Sequence, residues 1–264
     1  MEEMMNRKFL LPIFTATFFS MLTCAVTNGQ NATHPEVIAK YTEEPIKLDG
    51  KLDEKAWAAA QAYSLVLPLK SFSSLPESMQ KTLGNTIHEK GIVKLLWDND
   101  YLYVGVELED SDVMNEGKED QSFLFMSGDL IEVFLKPSGE NYYWEIYGAP
   151  SNKKTCFFFP SRGRAVFPAC ANYLPKDLKV AATVDGTLNN WRDCDNGWTI
   201  EIAIPIKELT AYGDKFNNST NWKILLARYN YSVYLQKPEL TAYPLLSDVN
   251  FHLYEEYSNL LLEK

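Results

Sequence analysis

The sequence predicts an all-β fold, an antiparallel β-sandwich of jelly-roll-like topology with a short N-terminal helix. Strand-length runs in which apolar and polar residues alternate recur along the chain, and turn-forming residues separate them. A clear example is Trp198 to Pro205, where Trp and Ile residues alternate with Thr, Glu and Ala. No long helical period is present, and no strand–helix alternation indicates a parallel sheet.

The composition narrows the classes of partner. The 264 residues carry a formal net charge of −10, and aromatic residues make up 13% of the chain, interleaved with polar residues. Because an acidic protein repels phosphate groups, the charge disfavours nucleic acid and anionic membrane surfaces as partners. It is compatible with neutral ligands and with metal cations.

The first 29 residues are predicted to be a signal peptide. Arg7 and Lys8 precede an apolar run over residues 9–26, as in the h-region of a leader. Pro12, several Thr and Ser residues, and the lack of basic residues between this run and Lys40 argue against an anchor, so no membrane span is expected.

Cleavage near Gln30 would leave a polar tether over residues 30–40 and a folded domain over residues 41–264. The protein would then be exported, to the periplasm, the cell surface or the medium. The alternative is a lipid anchor at Cys24, because Met21-Leu22-Thr23-Cys24 resembles a lipobox, although Thr before the Cys is unusual.

The N-terminal part of the domain begins with a strand over residues 46–52 that leads into an Asp-Gly turn. Asp53 is expected to cap a helix over residues 54–62 that buries Trp57. Residues 71–89 fit no pattern and are taken as an irregular excursion. Residues 91–98 and 101–110 form the next strand pair around an Asp-Asn-Asp turn.

Further strands follow in the second half of the chain, and one turn of helix over residues 206–209. The predicted strands cover residues 153–159, 178–184, 198–205, 222–233, 245–252 and 258–263. The run from Trp222 to Val233 is apolar on both faces, which predicts a central strand. Arg228 lies within it, and a buried arginine requires an acidic partner, for which Glu132 or Glu145 is the simplest choice.

A hairpin between Asp129 and Tyr147 organises the predicted sandwich. Two runs of β-forming residues flank the turn sequence Pro-Ser-Gly-Glu at residues 137–140. With Lys136 opposite Asn141, one face is wholly apolar or aromatic and should be core. That face carries Ile131, Val133, Leu135, Tyr142, Trp144 and Ile146.

The opposite face of this hairpin carries Glu132 and Glu145 together with Phe134, Tyr143 and Tyr147. Two carboxylates opposite one another on an antiparallel pair repel each other. This face is therefore expected to meet an arginine, a cation or the hydroxyl groups of a ligand. The alternative is that both glutamates are simply solvated.

Two other features leave alternatives open. The loop over residues 110–128 is rich in acids, and such a loop binds Ca²⁺ or is simply solvated, since no EF-hand spacing is present. Cys156 and Cys170 flank a predicted hairpin tip and could form a disulfide in an exported protein. Otherwise these two and Cys194 are thiols.

Six sequence pieces, in this order, resemble the family 9 carbohydrate-binding module and its stand-alone exported bacterial relatives. They are Ile46–Trp57, Leu96–Val104, Asp129–Phe134, Asn141–Ile146, Gly197–Pro205 and Val249–His252. The resemblance covers Tyr41 to Lys264.

The resemblance implies a sugar-binding β-sandwich, often with structural Ca²⁺, that works beside or within glycan-degrading enzymes. In the family, two tryptophans clamp a terminal sugar, and a glutamate that matches Glu132 reads its hydroxyl groups. The tryptophan positions fall here near Phe125 or Met126 and at Phe251. The positions of Asp110 and Asp129 match acidic residues near the family's metal site.

The expected function is therefore non-catalytic binding of a sugar or glycan end in polysaccharide utilisation, at millimolar to micromolar affinity. Aromatic rings take the C–H face of a pyranose, and carboxylates, Asn and Arg take its hydroxyl groups. Besides the hairpin face, Arg228, Asn250, His252 and the loop residue Trp191 are candidate ligand contacts.

Two alternative functions are weighed against binding. Glu132 and Glu145 about 5 Å apart would suit a retaining glycosidase. Against that, a nearby Arg228 would hold both carboxylates ionised. A haem domain would need axial ligands, for which His88, His252 and Met126 are the candidates.

Overall fold

The computed structural model describes residues 35–71, 78, 87–162, 164, 170 and 173–264. The strands are β1 (Glu36–Tyr41), β2 (Ala62–Ser64), β3 (Gly91–Trp97), β4 (Tyr101–Glu109), β5 (Leu130–Pro137), β6 (Tyr143–Gly148), β7 (Lys154–Phe159), β8 (Lys179–Asp185), β9 (Gly197–Pro205), β10 (Trp222–Asn230), β11 (Glu239–Tyr243) and β12 (Ser258–Glu263). The helical segments that lie wholly within the described residues are α1 (Lys55–Ala59), α2 (Ile206–Leu209) and single 3₁₀ turns at Leu124–Met126 and Tyr254–Glu256.

The described strands join in one sheet that folds over into a nearly closed barrel or sandwich. Their order is β7-β6-β5-β10-β12-β1-β3-β4-β9-β8, with β11 beside β10 and β2 beside β3. Most neighbours are antiparallel, which confirms the predicted fold class. The exception is β1, which runs parallel to both β12 and β3, so that the sheet is mixed.

Residues 36–40, expected to belong to a tether, are part of this sheet. Val37 and Ala39 point into the core and are fully buried, whereas Glu36 and Lys40 are exposed. The alternation in this short strand therefore reflects sheet packing. The predicted signal peptide, its cleavage site, Cys24 and residues 30–34 lie outside the described residues, as does most of the excursion between β2 and β3.

Two segments predicted as strands are irregular. In the segment over residues 46–52, the backbone N–H groups of Asp49 and Gly50 donate to the Glu201 carboxylate rather than to a neighbouring strand. In the segment over residues 245–252, the N–H of Ser247 donates to the Glu256 carboxylate. Carboxylates thus satisfy backbone groups that a strand would pair in a ladder.

The predicted helix over residues 54–62 is shorter, and no side chain caps it. Trp57 is buried as expected, and its indole N–H donates to Glu201 Oε1 at 3.2 Å. Cys156 is a free thiol, so the disulfide with Cys170 is not formed. Among the described residues, no helix has the length and apolar character that crossing a bilayer requires.

The main core lies between the two layers of the sheet. Ile131, Val133, Leu135, Trp144 and Ile146 belong to it, which confirms the predicted inner face of the hairpin. The register differs from the prediction by two residues, because Leu135 pairs with Trp144. A shift of two preserves which side chains share a face, so the assignment of faces survives.

A second apolar cluster covers the outer face of β5, β6, β7 and β10. It contains Phe134, Tyr143, Tyr147 and Phe157 from these strands, and Leu124, Phe251 and Tyr257 from the covering loops. A third, small cluster on the outer face of β3, β4 and β9 includes Trp57 of α1. The outer face of β5 and β6 is therefore covered by loops.

Candidate functional site

The two glutamates of the central hairpin lie on its outer face, as predicted. Glu132 of β5 pairs with Tyr147, and Glu145 of β6 pairs with Phe134, so the carboxyl groups are diagonal neighbours. Both are buried, with exposed fractions of 2% for Glu132 and 5% for Glu145. That these two groups contact a ligand stays a prediction, since neither presents appreciable surface in this conformation.

The Tyr147 hydroxyl links the two acids. It donates a hydrogen bond to Glu145 Oε1 and also interacts with Glu132. The other oxygen, Glu145 Oε2, is buried and has no hydrogen-bond partner. A buried carboxyl oxygen without a donor is costly, and it is a group that a ligand hydroxyl could satisfy.

Burial changes the protonation of both acids. It raises the pKa of Glu132 well above its ordinary value, and the neighbouring Glu145 raises it further. Burial also raises the pKa of Glu145 to about 7, although the Tyr147 hydroxyl opposes this change. Near neutral pH the pair therefore keeps at least one proton.

The prediction that Arg228 pairs with Glu132 or Glu145 is wrong. Arg228 pairs across β10 and β5 with Ile131, and therefore points to the opposite face of the sheet. Its guanidinium is fully buried and lies 3.1 Å from Asp110 Oδ2. Arg228 thus does not hold the two glutamates ionised, and the argument against catalysis that rested on it does not hold.

The Arg228 site is a buried polar network on that opposite face. The guanidinium donates to the carbonyl oxygens of Glu89, at 3.1 Å, and Glu109, at 2.8 Å. The Trp198 indole N–H donates to the same Asp110 oxygen at 3.1 Å. These contacts connect β10, β4 and β9 and account for the buried arginine structurally.

His252 is the partly exposed side chain that contacts Glu145. Its Nε2 lies 3.9 Å from Glu145 Oε2, and 41% of its side chain is exposed. The Tyr143 hydroxyl is 2.9 Å from Nδ1 of the same ring. Burial and the nearby Arg162 lower the pKa of His252, so the ring is neutral at pH 7. His252 therefore connects the buried acid with the surface.

The side chains at the clamp positions expected from the resemblance differ in exposure. Phe125 is partly buried and packs edge-on against Tyr147 at a centroid distance of 6.3 Å, and Met126 is 76% exposed. Phe251, the second clamp position expected from the resemblance, is buried at 6% exposure and packs edge-on against Phe134. Phe125 and Met126, but not Phe251, are therefore accessible.

Asn250 and Trp191 lie outside this group. Asn250 is exposed, and its side-chain oxygen accepts the backbone N–H of His252, so it shapes the turn that carries that ring. Trp191 is 61% exposed and stacks with the Arg192 guanidinium. The backbone bonds of its loop go to the segment around Val113 rather than to β5 or β6.

The contacts of Asp110 and Asp129 do not fit a Ca²⁺ site on these two residues. Asp110 is paired with Arg228, and the two oxygens of Asp129 accept the backbone N–H groups of Tyr231 and Met114, each at 2.7 Å. Calcium requires six to eight oxygen ligands. In the part of the chain that the structure describes, no group of three His, Cys, Asp or Glu side chains is placed to hold a metal.

Two further residues lie at the site. Tyr254 packs edge-on against Tyr143, and the Arg162 guanidinium lies 4.4 Å from the centre of the Tyr254 ring. Arg162 also forms a two-pronged ion pair with Glu255, at 2.5 and 2.6 Å. These residues come from loops whose position no alternation pattern specifies. His88, the other candidate haem ligand, contacts Glu239 instead.

One family model and several solved structures match this chain. A model of the carbohydrate family 9 binding domain-like family matches residues 48–222. A proposed carbohydrate-binding protein from Bacteroides uniformis ATCC 8492 has a similar structure, with a TM-score of 0.62 at 10% identity over 86% of this chain and 99% of that one.

Two structures of a family 9 carbohydrate-binding module from Caldicellulosiruptor kristjanssonii are also similar. The complex with cellotriose has a TM-score of 0.55 at 14% identity, over 87% of this chain and 94% of that one. The complex with glucose has a TM-score of 0.53 at 13% identity, over 87% and 96%. No curated protein matches the sequence. Because the family model matches more than half of the chain, the chain belongs to the carbohydrate family 9 binding domain-like family.

Proposed function

We propose that this chain is an exported, non-catalytic protein that binds a sugar or the end of a glycan during polysaccharide utilisation. One observation carries the choice of site. Glu145 Oε2 is a buried acceptor without a donor, and the partly exposed His252 ring lies 3.9 Å from it, beside aromatic side chains. A carboxyl oxygen behind a polar ring, bordered by aromatic groups, suits a ligand with hydroxyl groups and an apolar face.

The proposed contacts follow from exposure. Phe125 and Met126 offer apolar surface to the C–H face of a pyranose, and His252 offers a ring nitrogen to a hydroxyl group. A small movement of His252 would let that hydroxyl donate to Glu145 Oε2. The Tyr147 hydroxyl fixes the carboxyl beforehand, which lowers the entropic cost of binding.

Each of these contacts is weak, so modest affinity is expected. A ring stacking contributes about 0.5–1.5 kcal/mol beyond area burial, and a hydrogen bond about 1 kcal/mol net. A few such contacts correspond to roughly millimolar to micromolar dissociation constants.

The enzyme alternative has one observation in its favour, the raised pKa values of Glu132 and Glu145. A general acid needs such a value. However, both carboxyl groups must also reach the scissile bond, and Glu132 is only 2% exposed. Binding therefore accounts for the site better than hydrolysis does.

Export is proposed from the leader pattern alone, and association with glycan-degrading enzymes is proposed from the family context.

The Caldicellulosiruptor module was solved with glucose and with cellotriose, so these sugars are suitable first probes. Calcium is not assigned to Asp110 or Asp129, whose oxygens are already bonded to N–H groups.

The test is calorimetric titration of the full chain with glucose, cellotriose and a panel of plant and microbial glycans. Glu145→Gln and Phe125→Ala should each weaken binding by roughly tenfold, the equivalent of one good contact. Tyr212→Ala is the matched control. Tyr212 is 52% exposed and stacks on Phe158, which packs against the main core, so its loss should leave binding unchanged.

The same samples are assayed for released sugars by chromatography. Absence of saturable binding to every glycan in the panel would refute the proposed function. Product release that Glu132→Gln abolishes while binding persists would establish the enzyme alternative instead.

A further inference from the structure

A hollow lies at the start of β11, and none of Glu132, Glu145 and His252 lines it. It has a volume of about 300 Å³ and is lined by residues that include Leu67, His88, Tyr234, Gln236, Lys237 and Leu240. Ligand pockets in proteins begin at about this size and combine an apolar floor with a few fixed polar groups. Neither the family match nor the site described above accounts for it.

A buried acid, Glu239, holds the His88 side of the hollow in place. Glu239 is only 5% exposed, and its carboxylate accepts the backbone N–H groups of His88 at 2.9 Å and Glu89 at 3.2 Å. The same carboxylate lies 3.3 Å from Nδ1 of His88. With Nδ1 donating to Glu239, the partly exposed His88 ring presents Nε2 as a hydrogen-bond acceptor.

The other side of the hollow carries an exposed aromatic ring held in place. Tyr234 is 53% exposed, and its hydroxyl donates to the carbonyl oxygen of Asp193 at 2.7 Å. The turn that carries it is anchored as well, because the Val233 N–H donates to Asp112 Oδ2 at 2.8 Å. A ring fixed in this way loses little entropy when a ligand stacks on it.

The charges of the wall favour a neutral ligand. The Lys237 ammonium, which donates to the carbonyl oxygen of Ser71 at 2.7 Å, is balanced by the Glu239 carboxylate in the same wall. An anionic ligand would meet Glu239, and a cationic ligand would meet Lys237. Groups that donate and accept hydrogen bonds, an apolar floor and one ring match a molecule that carries hydroxyl groups around an apolar face.

We propose that this hollow is a second sugar site, which takes one neutral pyranose with its C–H face on Tyr234 and its hydroxyl groups on His88 and Gln236. The size agrees, since about 300 Å³ is at the lower end of the range of ligand pockets, which suits one hexose rather than a longer sugar. The inference rests on the proposed function for the class of ligand, but not on the Glu145 site.

The test is a titration of the full chain with glucose and then cellotriose, followed by backbone amide NMR. Two separate groups of shifts are expected, one near residues 143–147 and 252, the other near residues 88 and 234–240. Tyr234→Ala should weaken the sugar affinity measured from the second group of shifts by roughly tenfold. The affinity measured from the first group should stay unchanged. Tyr234→Phe keeps the ring but loses its hydrogen bond to Asp193, and it should retain both groups of shifts with a smaller loss of affinity than Tyr234→Ala.

If Tyr234→Ala disturbs amides beyond its own turn, Gln236→Ala replaces it, because Gln236 is exposed. Shifts near residues 143–147 alone would overturn the second site and leave the proposed function standing. Shifts near residues 234–240 alone would support the second site and refute the Glu145 site. The absence of shifts with either sugar would overturn the second site. So would a second group of shifts whose affinity is the same in the wild type, in Tyr234→Ala and in Gln236→Ala.

Discussion

Replacement of Arg228 by methionine should destabilise the fold more than any surface substitution. The side chains of Arg228 and Asp110 are 1% and 0% exposed, and the closest atoms are 3.1 Å apart. Breaking such a buried pair from one side costs about 3–5 kcal/mol, because the remaining charge stays buried without a partner. The substitution also removes the donors to two backbone carbonyl groups, at 3.1 and 2.8 Å.

The matched control is Lys94→Met, which removes an ion pair of similar length. Lys94 Nζ lies 3.2 Å from Glu107 Oε1, but the two side chains are 21% and 49% exposed. Solvent screens such a pair, and its loss is expected to cost about 0–1 kcal/mol. Urea unfolding at pH 7, followed by tryptophan fluorescence, gives both free energies of unfolding on one scale.

A double substitution separates pair breaking from loss of packing. In Arg228→Met with Asp110→Asn, the Asp110 carboxylate is gone, and Glu89, 4.0 Å from Arg228, keeps its hydrogen bonds from Ser111 and Asn230, so the double variant should be less destabilised than the sum of the single variants. The assignment of Arg228 to a buried pair with Asp110 would be refuted if the two substitutions lowered the free energy of unfolding additively. It would also be refuted if Arg228→Met lowered it by less than about 1 kcal/mol.

Three further predictions concern other groups. The pKa of Glu145 is about 7 in the folded chain and 4.5 ordinarily. The unfolded chain therefore loses this proton at a lower pH than the folded chain, and the free energy of unfolding falls as the pH rises from about 4.5 to 7. Urea unfolding at about pH 5 and pH 8 should show this loss, up to about 3 kcal/mol from Glu145, and Glu145→Gln should remove that share while Glu132, whose pKa is also raised, keeps its own. Glu201→Ala leaves three N–H donors of residues 49–57 without their acceptor and should cost more than about 2 kcal/mol, measured by urea unfolding. With a thiol reagent, exposed Cys194 should react at once, whereas Cys156, whose pKa burial raises, should react only on unfolding; equal rates would contradict this.

The inner face of the hairpin could be predicted because alternation specifies it directly. Ile131, Val133 and Leu135 recur at a period of two, and only one face of such a run is apolar. The register could not be fixed in the same way. A shift of two residues preserves every face, and nothing in the turn sequence at residues 137–140 distinguishes the two pairings.

The position of Arg228 could not be predicted because β10 is apolar on both faces. A strand buried on both sides gives no sign of which face an isolated polar residue occupies. The fact that an acidic partner is required does follow from burial, and Asp110 fulfils it. The partner comes from the end of β4, a contact between distant strands that no local pattern contains.

The loop residues at the site were the hardest to predict. His252 was identified as a candidate, but its contact with Glu145 depends on the path of the segment over residues 245–257, which was expected to include a strand. Tyr254 was missed for the same reason. Loops take their path from contacts to the body of the fold, such as the Tyr143 hydroxyl of β6 against the His252 ring, rather than from periodicity.

The place of β1 in the sheet has a consequence for how the domain can be excised. This strand lies between β12 and β3 and so joins the β7-β6-β5-β10-β12 half to the β3-β4-β9-β8 half, helped by an isolated bridge between Val66 and Ala242 of β11. The family match starts at residue 48 and ends at residue 222, inside these limits. A fragment cut at the match would lack β1, β11, β12 and nearly all of β10. Its two halves would have no shared hydrogen-bonded seam, so a working recombinant fragment must begin before Glu36 and extend through Glu263.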